Sequence, residues 1–77
     1  RELARRQITV NVVAPGYTLT DMTAAMAHSV VEQLLSAIPM GRAIDPREIA
    51  AAVAFLASEE AAGITGITLP VDGGLTS

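Results

Sequence analysis

Hydrophobic and polar positions follow two different rhythms along the chain. Between Ile8 and Ala14, Ile8, Val10 and Val12 fall on one parity, Val13 on the other, and Thr9 and Asn11 stand between them. That pattern predicts a strand over 8–14, apolar on both faces as in a parallel strand covered from both sides. Further on the period changes to four, with Met22, Met26, Val30 and Leu34 aligned as one stripe. A helix from Thr23 to Ala37 is expected there, capped by Thr20 or Asp21 and ended by Pro39. A second helix starts at Asp45, with Pro46 at its first position and Glu48 as the capping-box acid, and presents Ile49, Val53, Leu56 and Ala57 to the sheet.

The flanks complete the outline. Residues 1–6 read as the end of a helix, with Arg5 and Arg6 placed at the negative end of its dipole. Ser58 to Gly63 reads as a short capped turn of helix closed by Gly63, and Ile67 to Val71 as the last strand. Pro70 has no amide to donate, which favours an edge or a strand end. The whole is one βαβ-like crossover with a lid, about residues 17–45, inserted into it. No internal repeat, low-complexity tract or flexible linker interrupts it.

The chemistry-bearing break is Ala14-Pro15-Gly16-Tyr17-Thr18-Leu19-Thr20-Asp21-Met22, where the first strand stops and a polar segment opens. In an α/β sheet, ligands are bound at the carboxyl ends of strands. Proline fixes φ and removes a donor, and glycine lets a ligand or a backbone come close, so Pro15-Gly16 ends the strand sharply. Thr18 and Thr20 then place two hydroxyls beside that end. A plain strand terminator at Pro15-Gly16 and a simple helix cap at Thr20 are the bland alternatives.

Composition narrows the classes. A chain of 77 residues that is 51% hydrophobic, with mean hydropathy +0.45, carries more aliphatic surface than so small a domain can bury. The net charge of −3 and pI near 4.8 argue against nucleic acid, whose binding is built from clustered Lys and Arg. No apolar run approaches the roughly 18 residues of a membrane span. The absence of cysteine excludes disulfides and thiolate metal sites and is compatible with a cytoplasmic location. His28 has no second ligand at a metal spacing and reads as a surface residue. Asp72-Gly73-Gly74 reads as a tight turn, since one carboxylate is far short of a cation site. No metal site is expected.

The segment Ile8-Thr9-Val10-Asn11-Val12-Val13-Ala14-Pro15-Gly16-Tyr17-Thr18-Leu19-Thr20-Asp21-Met22 resembles the last cofactor-contacting segment of the short-chain dehydrogenases/reductases. Ile64-Thr65-Gly66 through Val71-Asp72-Gly73-Gly74 is similar to their final strand, and Pro39-Met40-Gly41-Arg42 with Asp45 to Ser58 to their passage from lid to helix. The resemblance implies an α/β fold: the last two strands, lid helix and crossover helix of a doubly wound, Rossmann-type parallel sheet, with residues 1–77 as the carboxyl-terminal part of one NAD(P)-binding domain. It implies NAD or NADP as cofactor, a small carbonyl or alcohol substrate, and a homo-oligomer, most often a tetramer.

Carried onto this chain, the resemblance places Pro15, Gly16 and the Thr18 backbone against the nicotinamide and Thr20 on its carboxamide or pyrophosphate side. The family commonly has an aliphatic residue where Thr18 stands. Tyr17 and Met22 would line the substrate pocket. The family's catalytic Ser and Tyr-x-x-x-Lys have no counterpart here, because the chain has no lysine and its only tyrosine is followed by Thr18-Leu19-Thr20-Asp21. No catalytic residue is therefore assigned, and the chain alone is expected to be inactive. Pro15 to Met22 looks slightly more like sugar or polyol dehydrogenases than 3-oxoacyl-acyl-carrier-protein reductases. A non-catalytic remnant that acts only in subunit assembly is the alternative.

Overall fold

In the computed structural model, which describes residues 1–19 and 27–77, two short parallel strands are joined by a long crossover in which, among the described residues, two helices of ten residues or more are seen. The chain opens with helix α1, Glu2–Arg5, followed by strand β1, Val12–Pro15. Helices α2, His28–Ala37, and α3, Pro46–Leu56, follow, then a single 3-10 turn, Glu59–Ala61, and strand β2, Thr68–Val71. The α/β character expected from the pattern is present. Strand register pairs Val12 with Thr68, Val13 with Leu69, Ala14 with Pro70 and Pro15 with Val71.

Both prolines fit the ladder because of its alternation. Val12 donates to the Ile67 carbonyl and Gly16 to that of Val71, so the donors that β1 aims at β2 are even-numbered and Pro15 costs no bond. By the same alternation the nitrogen of Pro70 faces away from β1, and that side of β2 could not accept a further strand without a missing donor. Ahead of the ladder, side chains take over. Asn11 donates through Nδ2 to the Ile64 carbonyl at 3.1 Å and accepts the Ile67 amide through Oδ1 at 3.2 Å, while the Val10 amide reaches Thr65 Oγ1 at 3.1 Å. Residues 10–11 are therefore tied to the 64–67 loop by these bonds and by one main-chain bond, from the Gly66 amide to the Val10 carbonyl at 2.9 Å, without a continuous ladder, and β1 starts at Val12 and not at Ile8.

Helix ends depart from expectation where periodicity alone had set them. α2 begins at His28, its N-cap being Ala27 in an extended conformation (φ −63°, ψ 147°) with no side-chain cap, so no helix runs continuously from Thr23. Spacing identifies a helix face but carries no information about where the first turn nucleates. The proposed caps Thr20 and Asp21, with Met22 and Met26, lie outside the described residues. Within α2 the inward face is Val31, Leu34 and Leu35, continued by buried Ile38; Val30 is exposed. Ile38, held extended ahead of Pro39, closes the helix as a residue before proline must.

α3 starts as its sequence requires. The Asp45 side chain accepts the Arg47 amide at 2.8 Å, and Glu48 Oε2 accepts the Asp45 amide at 2.9 Å, with Pro46 at the first position. α3 packs on both strands and on the 3-10 turn. Ile49, Ala52 and Leu56 are half-buried, but Val53 and Ala57 remain exposed, contrary to the expected sheet-facing set. A two-stranded sheet is too narrow to cover the full width of an apolar helix face. After α3, Ser58 has no capping bond; its hydroxyl donates back to the Phe55 carbonyl, and the turn ends at Ala62 and not at Gly63.

Among the described residues the buried apolar ones are Ile38, Ala43, Ile44 and Ala61, so three of these four lie in the α2–α3 connection and not between sheet and helix. Val10 and Val12 stay more than half exposed, at 54% and 56%, while Val13 is half-buried, so the cover expected on both faces of β1 is incomplete. Accessible surface is 5589 Å². A compact protein of this mass would show about 4,400 Å². The radius of gyration, 15.4 Å, likewise exceeds the roughly 11–12 Å of a compact domain of this length.

α1 ends in a Schellman motif: the Ile8 amide donates to the Leu3 carbonyl at 2.9 Å and the Gln7 amide to that of Ala4 at 3.0 Å. Gln7 is thereby held at φ +63°, the one non-glycine residue in the left-handed region among those described. Glycine has no Cβ to clash there. Gln7→Gly is expected to raise stability by about 1 kcal/mol, measured by chemical denaturation; a loss of stability would show that the Gln7 side chain matters more than its backbone.

Candidate functional site

The two strands end side by side, and their terminal loops meet. Gly16 continues β1 by one ladder bond to the Val71 carbonyl at 3.1 Å, and its α-carbon lies directly on Asp72. A Cβ added at Gly16 would sit 2.6 Å from Asp72 Cβ and 2.8 Å from its Cα. Gly16 is not in the left-handed region, so glycine is required at this point by space alone. The close approach expected of a ligand is thus made first by the neighbouring strand's own backbone.

Asp72 is buried, at 7% exposure, and organises the turn that follows β2. Its Oδ1 accepts the Gly74 amide at 3.0 Å, while Oδ2 accepts the Thr76 amide at 3.2 Å and the Thr76 hydroxyl at 2.6 Å. Those bonds, led by the Thr76 hydroxyl and opposed by burial, hold the carboxyl below the usual carboxylate range. The tight turn read from Asp72-Gly73-Gly74 is present. Gly73, at φ +66°, leaves only 2.7 Å between a would-be Cβ and Ile38 Cγ2, so side-chain-free backbone is needed here as well.

Segment 17–45, expected from sequence to be a lid, leaves and returns at this same place. Its outgoing arm, Tyr17–Leu19, and its return at Ile44 form a parallel bridge in which the Ile44 amide donates to the Tyr17 carbonyl at 2.8 Å and the Leu19 amide to the Ile44 carbonyl at 2.9 Å. The Met40 amide donates to the Gly73 carbonyl at 3.0 Å. Ile38 and Ile44, at 2% and 3% exposure, are buried beneath these bonds. Beside them Arg42 makes a two-pronged ion pair with Glu48, both contacts 2.8 Å, and the same carboxylate caps α3.

Of the residues singled out from sequence, Pro15, Gly16, Tyr17 and Thr18 lie together at the end of β1. Pro15 is exposed, Gly16 and Thr18 are half-buried, and Tyr17 is 36% exposed. Thr20 and Met22 lie outside the described residues. Met40 is 67% exposed, and its amide ties it to Gly73. His28 is a surface residue paired with Glu32 at 2.9 Å. Sequence reasoning missed the roles of Asn11 and Thr76; the Asp-to-Thr spacing of four across two glycines was the available signal for the second.

With the geometry in place, the comparisons are specific. Residues 1–76 match the family model described as enoyl-(acyl carrier protein) reductase. Over 75 residues the chain is 59% identical to the 3-oxoacyl-[acyl-carrier-protein] reductase FabG of Vibrio cholerae and 57% identical to that of Escherichia coli K12, covering 97% of this chain and 31% of each relative. It is 51% identical over 75 residues to the acetoacetyl-CoA reductase of Allochromatium vinosum, covering 97% of this chain and 30% of that one. The chain belongs to the short-chain dehydrogenase/reductase family. It spans about a third of the length of these relatives. They also replace the slight likeness to sugar or polyol dehydrogenases with a likeness to 3-oxoacyl reductases. Among the described residues, no helix is long and apolar enough to cross a membrane.

The Arg42–Glu48 pair sets an acid limit on the start of α3 and the return arm beside it. Glu48 is lowered to about 2, first by its bond from Arg42 and then by that from the Asp45 amide. A carboxyl depressed on folding contributes stability above the ordinary carboxylate range and loses it as pH falls toward 2. NMR titration of the Glu48 carboxyl is expected to give a midpoint near 2, with the Ile44 and Asp45 amides shifting in step. A midpoint in the ordinary carboxylate range would show that the pair does not persist in solution.

Proposed function

We propose that this chain is the carboxyl-terminal part of an NAD(P)-dependent reductase that interconverts a carbonyl and a secondary alcohol, and that its carbonyl substrate is a 3-oxoacyl group on a carrier thiol. Identity of 51–59% across nearly the whole chain with proteins named for 3-oxoacyl-carrier-protein and acetoacetyl-CoA reduction carries this reading. In it, β1 and β2 are the last two strands of a doubly wound sheet. Pro70, with its nitrogen turned outward, suits β2 to the edge. An assembly-only remnant gains nothing from the relatives named above, which are reductases by name.

The residues at the end of β1 suit a nicotinamide. Pro15 offers an exposed, donor-free apolar surface for one face of the ring, with Gly16 and the Thr18 backbone beside it, and the Thr20 hydroxyl is assigned to the carboxamide or pyrophosphate side. When bound, that group supplies the hydride. This chain's part is to orient the ring through 15–20, to exclude water with the lid over 17–45, and to line the substrate side with Tyr17 and Met22. The proton-transferring groups belong to the remainder of the protein. The exposed face of Val10 and Val12 and the alanines of α3 are surfaces for that remainder and for further subunits, a homotetramer being the assembly the family resemblance implies.

A second reading, reduction of a carbon–carbon double bond, is favoured by the enoyl reductase description of the matching family model. One assay separates the two. The full-length protein is expected to oxidise NADPH or NADH with acetoacetyl-CoA and not with crotonyl-CoA, and the 77-residue chain alone is expected to do neither. Turnover of crotonyl-CoA only would reverse the assignment. In the same protein, Thr20→Val should weaken cofactor binding about fivefold or more, the worth of one hydrogen bond to a group buried on binding; an unchanged Kd would remove Thr20 from the cofactor site.

A further inference from the structure

Neither Asp72 nor Thr76 has a part in the chemistry proposed above, yet the turn they hold is where three separate segments are fastened. Gly16, at the start of the lid's outgoing arm, rests on Asp72 Cα and Cβ. Met40, on the return arm, donates its amide to the Gly73 carbonyl, and Ile38 and Pro39 pack on Gly73 and Gly74 with no room for a Cβ at Gly73. The arms are in turn stapled to each other between Tyr17–Leu19 and Ile44. Gly73 and Gly74 are both at positive φ, 66° and 93°, so nothing in their own preferences fixes this turn in one shape. The bonds from Gly74 and Thr76 to the buried Asp72 carboxylate do so.

We infer that Asp72 and Thr76 are positioning residues for the lid: their carboxylate–hydroxyl clasp fixes the turn after β2, and the turn fixes both arms of segment 17–45. The inference rests on the proposed function only in that the lid is taken to cover the substrate. Loosening the clasp leaves the strand pairing intact, because Gly16 meets Asp72 through main chain and Cβ, which a change at Thr76 does not touch. It frees the Gly73 carbonyl and, with it, the Met40 anchor. Substrate affinity therefore falls while the chemical step, performed by groups elsewhere in the protein, is unchanged.

The full-length protein should be prepared as wild type, Thr76→Val, Thr76→Ser and Asp72→Asn, and followed by amide hydrogen exchange and steady-state kinetics with acetoacetyl-CoA. Thr76→Val and Asp72→Asn are expected to speed exchange at Met40, Ile44 and Leu19 by roughly tenfold, the loss of one bond to a charged group, with Gly16 and Ala57 unchanged. KM should rise by a similar factor at constant kcat. Thr76→Ser, which keeps the hydroxyl, should match wild type. Wild-type exchange at Met40 in both impaired variants would overturn the inference, as would acceleration spread evenly through α3 or a fall in kcat at constant KM. If wild-type protein does not turn over acetoacetyl-CoA, the proposed function fails, and the exchange pattern still decides the role of the clasp.

Discussion

Two parallel strands can end side by side with loops of different origin only if their backbones come together without side chains in between. Here that condition falls on Gly16 and Asp72, where a single methyl group on Gly16 would lie within 2.6–2.8 Å of the opposite residue. Everything at this end of the molecule depends on that approach. It brings the last ladder bond, Gly16 to Val71, to the very start of segment 17–45, and it seats Asp72 where its carboxylate can close the following turn. The turn then receives the return arm through Met40 and Ile38. Both described arms of segment 17–45 are therefore fastened at one compact base, and three of the four buried apolar residues among those described, Ile38, Ala43 and Ile44, gather there.

The rest of the chain is unfinished as a packing problem. A strand apolar on both faces belongs in a sheet with layers on both sides, yet Ile8, Val10 and Val12 face water here, as do Val53 and Phe55. With accessible surface about a quarter above that of a compact protein of equal mass, the excess is itself a statement about function. These surfaces suit layers supplied by the remaining length that the relatives have and this chain does not span.

Much of this was legible in the sequence, and what was not has physical reasons. The capping box at Asp45 and Glu48 was readable because each of its residues answers a separate local requirement. The strand break at Pro15-Gly16 and the Asp72-Gly73-Gly74 turn were readable for the same reason. The start of α2 at His28 was not, since periodicity fixes faces and leaves ends open, and the sheet-facing role given to Val53 failed because periodicity cannot tell how wide the covering sheet is. The meaning of Gly16 was half legible: its need for close approach could be read, but not that Asp72, a residue 56 positions away in the chain, is what approaches. Long-range proximity of that kind leaves no local signature, and the Asn11 bridge to residues 64 and 67 escaped for the same reason.

The central claim is that the space at Gly16 belongs to Asp72, and one substitution probes it with the least disturbance elsewhere. Gly16→Ala adds a single methyl at a position with no positive-φ requirement, so any effect reports steric conflict alone. Equilibrium unfolding of the full-length protein is expected to show a loss of about 1–3 kcal/mol, the usual cost of forcing an extra carbon into filled space. Stability equal to wild type, or the small gain that a Gly-to-Ala change brings where room exists, would contradict the account.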